Sequence, residues 1–443
     1  MRRLLDGPIL ATLLKLAAPN VMAMVLTVAV GIAETYYIGR LGTTPLAAMA
    51  LVFPFAMLTQ MMSSGAMGGG VSSAVARALG AGDPKRAAAL AMHATLIGAA
   101  AGLAYSAVFL LFGPAFYRAL GGSGAVLDEA VRYSNVLFSG ALLVWLANTL
   151  ASVLRGSGNM RLPSAAIVGM AVLQIALGGV LALGAGPVPS LGMVGVALGH
   201  IAAMATGVCF FAWVLVSGQG QSRVRLAWRG FAARREMFAD ILRVGALACL
   251  SPLQSVLAAL VFTGLVARLG VPALAGYGIG QRLEFLLIPV AFGIGVASVP
   301  MVGMAVGAGD VPRARRVAWT AAAVSAAVLG VIGSAVALAP DAWASLFSRD
   351  EAVLANARAY LRIAGPAFPL FGLGLTLYFA SQGAGKVLGP VLAGTLRLVL
   401  VVGVGLWLAT GSATEAQFFV LAAAAMVAYG LATVAAVRLA RWG

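Results

Sequence analysis

Charged residues are scarce in this chain: only 9% of its 443 residues carry a charge, against roughly 25% in an ordinary globular domain, and 62% are hydrophobic. That balance excludes a soluble single domain, because one core cannot hide so much apolar surface. Cysteine and histidine number two each. Cys209 and Cys249 both fall inside apolar stretches, so neither a disulfide framework nor a metal-ligand spacing is available, and both read as packing residues. No acids, metal ligands or nucleophile–base pairs cluster within an apolar stretch, which excludes a membrane-embedded enzyme. Symmetric filter loops of the kind an ion channel uses are also missing.

What the chain does have is a series of apolar runs long enough to cross about 30 Å of hydrocarbon. Twelve can be counted, at about 14–38, 46–76, 87–113, 133–154, 163–184, 191–216, 240–266, 273–304, 315–338, 357–380, 388–409 and 416–437. The 13 acids and 29 bases lie mostly in short clusters between them. A net charge of +16 would suit a nucleic-acid partner, but the bases are scattered over separate loops, where their main effect is to set orientation. One set of alternate loops carries Arg2, Arg3, Arg77, Lys85, Arg86, Arg155, Arg161, the run from Arg223 to Arg243, Arg313, Arg315, Arg316, Lys386, Arg438 and Arg441. The other set has chiefly Arg40, Arg118, Arg268 and Arg349, with Asp128, Glu129, Asp341, Asp350, Glu351 and Glu415 in or beside it. Both termini are therefore expected in the cytoplasm, as an even number of spans requires.

The chain also repeats itself. Arg40-Leu41-Gly42 recurs as Arg268-Leu269-Gly270, and Gly80-Ala81-Gly82-Asp83 as Gly307-Ala308-Gly309-Asp310. Gly156, Gly158 and Pro163 recur as Gly383, Gly385 and Pro390, the offset drifting only from 228 to 227 residues. The expectation is an all-α polytopic membrane protein of twelve transmembrane helices in two homologous six-helix lobes. The lobes would be residues 1–216 and 240–443, joined by a cytoplasmic linker over 217–239 that begins with Ser217-Gly218-Gln219-Gly220-Gln221-Ser222. Met1-Arg2-Arg3 before an apolar run looks like a signal-peptide start. Lys15, however, matches Arg243 at the repeat offset, so the first span is expected to be retained.

Three segments carry a resemblance: Gly39-Arg40-Leu41-Gly42, Ala76-Arg77-Ala78-Leu79-Gly80-Ala81-Gly82-Asp83 and Leu154-Arg155-Gly156-Ser157-Gly158-Asn159, each echoed in the second half. Together they resemble the multidrug and toxic compound extrusion (MATE) family, over almost the whole chain. The resemblance implies a V-shaped, pseudo-twofold pair of lobes in a cell membrane, with the bacterial inner membrane expected. It also implies export of small cationic or amphipathic drugs by alternating access, driven by protons or sodium, with membrane lipids as surroundings and a monomer as the working unit. Some branches of the family carry acids on helices 7 or 10. Ser251-Pro252-Leu253-Gln254 and Phe371-Gly372-Leu373-Gly374 have none, and the chain is placed nearer the DinF-like, proton-coupled type than the NorM-like type.

Ionisable side chains inside hydrocarbon are costly, about 2.5–3.5 kcal/mol at a helix centre on insertion scales, and so mark function. Those well inside the spans are read as Glu34, Arg282, Glu284, His93 and His200. The repeat counterpart of Glu34 is Phe262, so one lobe has an acid where the other has none. The family usually has aspartate at the Glu34 position, in the N-lobe cavity, and the resemblance carries over ion coupling and substrate binding; an interfacial Glu34 snorkelling outward is the alternative. Protonated, Glu34 would be neutral; ionised, it would attract a cation, and competition between proton and drug is the minimum that antiport needs. Pro19, in the same span, is either a hinge that bends on protonation, as proposed for the family, or a static kink.

The resemblance also bears on the coupling ion. The family's sodium site draws on an Asn and an Asp on helix 5, where this chain has Gln174 and Gly178. Losing the carboxylate removes the best ligand for a hard cation, so protons are expected as the coupling ion and sodium is disfavoured. No other cofactor or metal is expected. His200, at similar depth, would either share the proton of Glu34 or act as a packing residue.

Arg282 and Glu284, two apart, cannot share a helix face, so one is expected to line a cavity and the other to pair with a neighbouring helix. His93 reads as structural or surface-related. Met61, Met62 and Met67, with Tyr36, Tyr37, Phe53 and Phe55, offer either an adaptable drug surface or plain packing. A lipid-linked oligosaccharide or lipid flippase of the same superfamily is the alternative function, but it would be expected to show several basic residues for pyrophosphate.

Overall fold

The computed structural model describes residues 2–218, 224–226 and 231–442, so most of the Ser217–Ser222 linker stretch, and Met1, lie outside the described residues. The regular secondary structure of the described residues is helical, apart from an isolated bridge between Ala185 and Val188. In chain order the helices are α1 (Arg2–Asp6), α2 (Ile9–Leu41), α3 (Thr43–Gln60), a π-helical turn (Met61–Met67), α4 (Gly68–Gly80), α5 (Pro84–Ala119), α6 (Gly124–Ser139), α7 (Ala141–Gly156), α8 (Arg161–Leu183) and α9 (Met193–Ser217). They continue as α10 (Arg235–Ala248), α11 (Leu250–Ala267), α12 (Val271–Gly307), α13 (Val311–Leu338), α14 (Asp341–Ala344), α15 (Glu351–Ala364), α16 (Phe368–Gly383), α17 (Leu388–Leu408) and α18 (Glu415–Leu439). Among the described residues, eleven helical stretches are long and apolar enough to cross a membrane. The α6–α7 pair, bent by 42°, makes a twelfth when counted as one span.

The helices group into two compact units, Met22–Gly245 and Met1–Val21 with Ala246–Gly443. The repeated turns recur as structure. Gly82 (φ 76°) and Gly309 (φ 79°) both take the left-handed backbone that a Cβ disfavours. The aspartate after each caps the next helix: Asp83 accepts from the Arg86 N–H at 2.8 Å and Asp310 from the Arg313 N–H at 2.9 Å.

In the Met22–Gly245 unit the core is aromatic: Phe109 lies 4.5 Å from Phe138 and 4.7 Å from Tyr105, centroid to centroid. Such pairs contribute about 0.5–1.5 kcal/mol each beyond area burial. Helices α8 and α9 meet through glycines, because lipid offers no hydrophobic drive and close backbone approach must supply the packing. A Cβ on Gly199 would stand 2.5 Å from the Gly178 nitrogen.

The other unit has its own aromatic chain, Phe262, Tyr277, Tyr360 and Phe419, with successive centroids 5.1, 5.3 and 5.3 Å apart. Its N-terminal segment is fastened by Asn20, whose Nδ2 donates to the Gly293 carbonyl at 3.1 Å, and by Arg313, which donates to the carbonyls of Leu4 and Gly7. The seventh predicted span, read as one stretch, is broken at Cys249 between α10 and α11. Pro252 is the cause: lacking an N–H, it cannot bond the carbonyl four residues back, at Ala248. The Tyr378 hydroxyl fills the vacancy, donating to that carbonyl at 3.0 Å.

Candidate functional site

Glu34 lies on α2, half-buried, in the Met22–Gly245 unit. Gln174 on α8 donates from Nε2 to Glu34 Oε1 at 2.7 Å. Three residues on, and so on the same face of α2, the Tyr37 hydroxyl donates to the Ile175 carbonyl at 3.3 Å. The ring fits because Gly179 is beneath it; a Cβ there would stand 2.9 Å from Tyr37 Cζ. Glu34, Tyr37 and Gln174 are thus brought together along one α2–α8 seam. Buried Tyr133 of α6 lies within electrostatic reach of the same carboxyl, which sequence alone gave no reason to suspect.

Among the described residues Glu34 has no ion-pair partner, and Oε2 makes no hydrogen bond. One oxygen is held by a neutral amide and the other is free. A carboxyl in that situation must either hold a proton or wait for an incoming cation, since an uncompensated charge in a membrane span is unstable.

The other candidates fall elsewhere. His200, on α9, makes no hydrogen bond among the described residues, so the sharing of a proton with Glu34 is not made in this structure. Its helix is set by the Gly178–Gly199 approach, with no polar contact to turn the ring toward α2. Met61 opens the π-helical turn, beside a polar knot in which Asn148 Nδ2 donates to Ser63 Oγ at 2.8 Å and Gln60 Oε1 at 3.2 Å. Met67, offered as drug surface, is buried. Pro19 sits within α2, two residues before the point where that helix passes from one unit to the other.

His93 is buried and structural. Nδ1 faces the Ala89 carbonyl at 2.7 Å, while Nε2 accepts from the Arg234 N–H at 2.9 Å, an arrangement that requires the Nδ1–H tautomer.

In the other unit, Glu284 on α12 accepts a hydrogen bond from the Tyr360 hydroxyl of α15. Arg282 is exposed, its guanidinium 5.0 Å above the Phe347 ring. The pair diverges as its spacing requires, Arg282 toward an aromatic ring and Glu284 toward a neighbouring helix. The count of ionisable groups inside spans also needs correcting, because Arg397 lies midway along α17. The signal was present in Leu396-Arg397-Leu398-Val399-Leu400, a lone base in a long apolar run.

A carboxyl with one oxygen unengaged among the described residues, carried on lipid-length helices, suits a membrane transporter. The MatE family model matches residues 19–180 and, a second time, residues 248–407, so the chain belongs to the MATE family. Among its relatives, the multidrug export protein MepA of Staphylococcus aureus is 26% identical, over 88% of this chain and 86% of that one. An FAD transporter of Shewanella oneidensis is 25% identical, over 90% and 87%. Among solved structures, MATE in complex with MaL6 superposes with a TM-score of 0.89 at 23% identity, covering 99% of this chain and 97% of that one. A MOP superfamily transporter from Pyrococcus furiosus, described as having a binding pocket of reverse polarity, gives 0.88 at 23%, covering 98% and 96%. The chain is a multi-pass membrane transporter of this family, and not an enzyme.

Proposed function

We propose that this transporter exports small cationic or amphipathic drugs by proton antiport, with Glu34 as the group that exchanges proton for drug. The observation that carries the reading is the half-satisfied carboxyl: Gln174 holds Oε1 at 2.7 Å while Oε2 has no hydrogen-bond partner among the described residues. A proton and a cationic drug can each neutralise that group, but not together, so loading one expels the other. Exchange of one proton for one monovalent cation moves no net charge, and the pH gradient rather than the voltage drives it. Tyr37, seated beside Gln174, supplies an aromatic ring for the drug. Relatives such as the multidrug export protein MepA support the drug class. In this reading the protein works as a monomer in the bacterial inner membrane with both termini in the cytoplasm, consistent with the distribution of arginines between loops.

The test is dye efflux in everted membrane vesicles with proton and sodium gradients imposed separately. Ethidium transport that follows the pH gradient supports the reading. Transport of lipid-linked pyrophosphate with no dye movement would favour a flippase instead.

A further inference from the structure

Each unit holds an ionisable side chain inside a span that its repeat counterpart lacks. At the repeat offset of 227 residues, Arg397 stands where the first half has Met170, and at the offset of 228 Glu34 stands where the second half has Phe262. A guanidinium midway along a membrane span is expensive to keep unless something uses it. In this structure nothing does so fully. Nε is buried without a hydrogen-bond partner, the Nη atoms make no hydrogen bond among the described residues, and no carboxylate lies within the 4.0 Å of an ion pair.

The nearby acid makes no ion pair with it. Glu284 lies within electrostatic reach of Arg397, but the only hydrogen bond to its carboxylate among the described residues is from the Tyr360 hydroxyl to Oε1. The guanidinium is centred 5.2 Å from the Phe371 ring, and that ring is 6.0 Å from Tyr429. Attraction to a ring face leaves the N–H fork available for a planar, two-oxygen acceptor, which is the geometry arginine recognises best.

We propose that the unit containing Ala246–Gly443 holds an anion site, in which Arg397 grips a carboxylate or phosphate group and Phe371 and Tyr429 flank the flat ring that carries it. The site is separate from Glu34 and goes beyond the cation-export reading; it stands whether or not that reading does. Glu284, when ionised, opposes the incoming anion. Its removal therefore strengthens binding, whereas removal of Arg397 abolishes it, and a purely structural Arg397–Glu284 cluster would not produce these opposite signs.

The experiment titrates the purified full chain with three probes that share one ring, namely 1-naphthyl phosphate, 1-naphthoate and 1-naphthylmethylammonium, and follows naphthalene fluorescence. Wild type binds both anions saturably. Arg397→Met, which installs the residue of the other unit, weakens them at least tenfold without weakening the cation. Glu284→Gln tightens the anions severalfold, and Glu34→Gln leaves them unchanged. Absence of saturable anion binding by wild type, an arm that needs no variant, would overturn the proposal. So would wild-type anion affinity in Arg397→Met that still binds the cation. Should Arg397→Met fail to fold, a Glu284→Gln protein that binds anions no more tightly than wild type also overturns it.

Discussion

Gln174 and Glu34, 140 residues apart in sequence, meet through a hydrogen bond of 2.7 Å from Nε2 to Oε1. The bond joins α2 to α8 and leaves the carboxyl with one engaged oxygen and one free. The expected consequence is a sharp difference between two substitutions at position 34. Glu34→Gln keeps volume but cannot exchange a proton, and gradient-driven ethidium efflux should fall to background at normal expression. Glu34→Asp keeps the acid and should retain substantial efflux. Wild-type transport by Glu34→Gln would remove Glu34 from the mechanism.

Gln174→Leu should lower efflux about tenfold, because a hydrogen bond to a charged group contributes about 1.5–3 kcal/mol and about 1.4 kcal/mol is a factor of ten. The effect should depend on Glu34. In the Glu34→Asp background, which retains efflux but has a side chain one methylene shorter, Gln174→Leu should cost less than it does in wild type, since residues acting as a unit are non-additive. Equal and additive losses would mean that Gln174 acts on something other than Glu34.

Much of this was legible in the sequence, for physical reasons that differ between residues. The repeat and the span count follow from composition and period alone, and the cap residues Asp83 and Asp310 could be read from the identical turns around them. Glu34 stood out because an acid is rare in hydrocarbon. By the same rule Arg397 should have stood out, but its context holds no second polar residue in register to draw notice. Contacts between distant segments were not legible at all. The approach of Tyr133 to Glu34, the bond from Tyr360 to Glu284, and the Tyr378 hydroxyl that satisfies the carbonyl orphaned by Pro252 depend on how helices pack. The π-helical turn at Met61–Met67 was equally hidden, since an insertion in hydrogen-bond register leaves no simple periodic trace.

The seam that positions Gln174 should be sensitive on one side only. Gly199→Ala would push a methyl to 2.5 Å from the Gly178 nitrogen and 2.7 Å from its Cα, and backbone atoms cannot swing aside. Overpacking of that kind costs about 1–3 kcal/mol. Gly178→Ala meets only the Val196 Cα at 4.0 Å, and alanine is the better helix former by about 1 kcal/mol. Thermal unfolding in detergent should therefore show a lowered midpoint for Gly199→Ala and an unchanged or raised one for Gly178→Ala. The reverse order would mean that α8 and α9 do not meet through these glycines.

The coupling ion gives the last expectation: ethidium efflux at fixed pH should be indifferent to a sodium gradient. Sodium is a hard cation and needs a shell of several oxygens. At Glu34 one carboxylate oxygen already faces an N–H donor from Gln174, which presents positive rather than negative polarity to an ion approaching that side. Position 178 has no side chain at all, so it offers no second carboxylate to complete such a shell. A proton makes no such demand, since a single oxygen suffices and Oε2 has no competing hydrogen bond among the described residues. Position 178 also supplies a gain-of-function control: Gly178→Asp, made together with Gln174→Asn, should introduce a sodium response that wild type lacks. Efflux measured with and without a sodium gradient in both proteins decides the matter, and a clear sodium requirement in wild type would place its coupling site away from the α2–α8 seam.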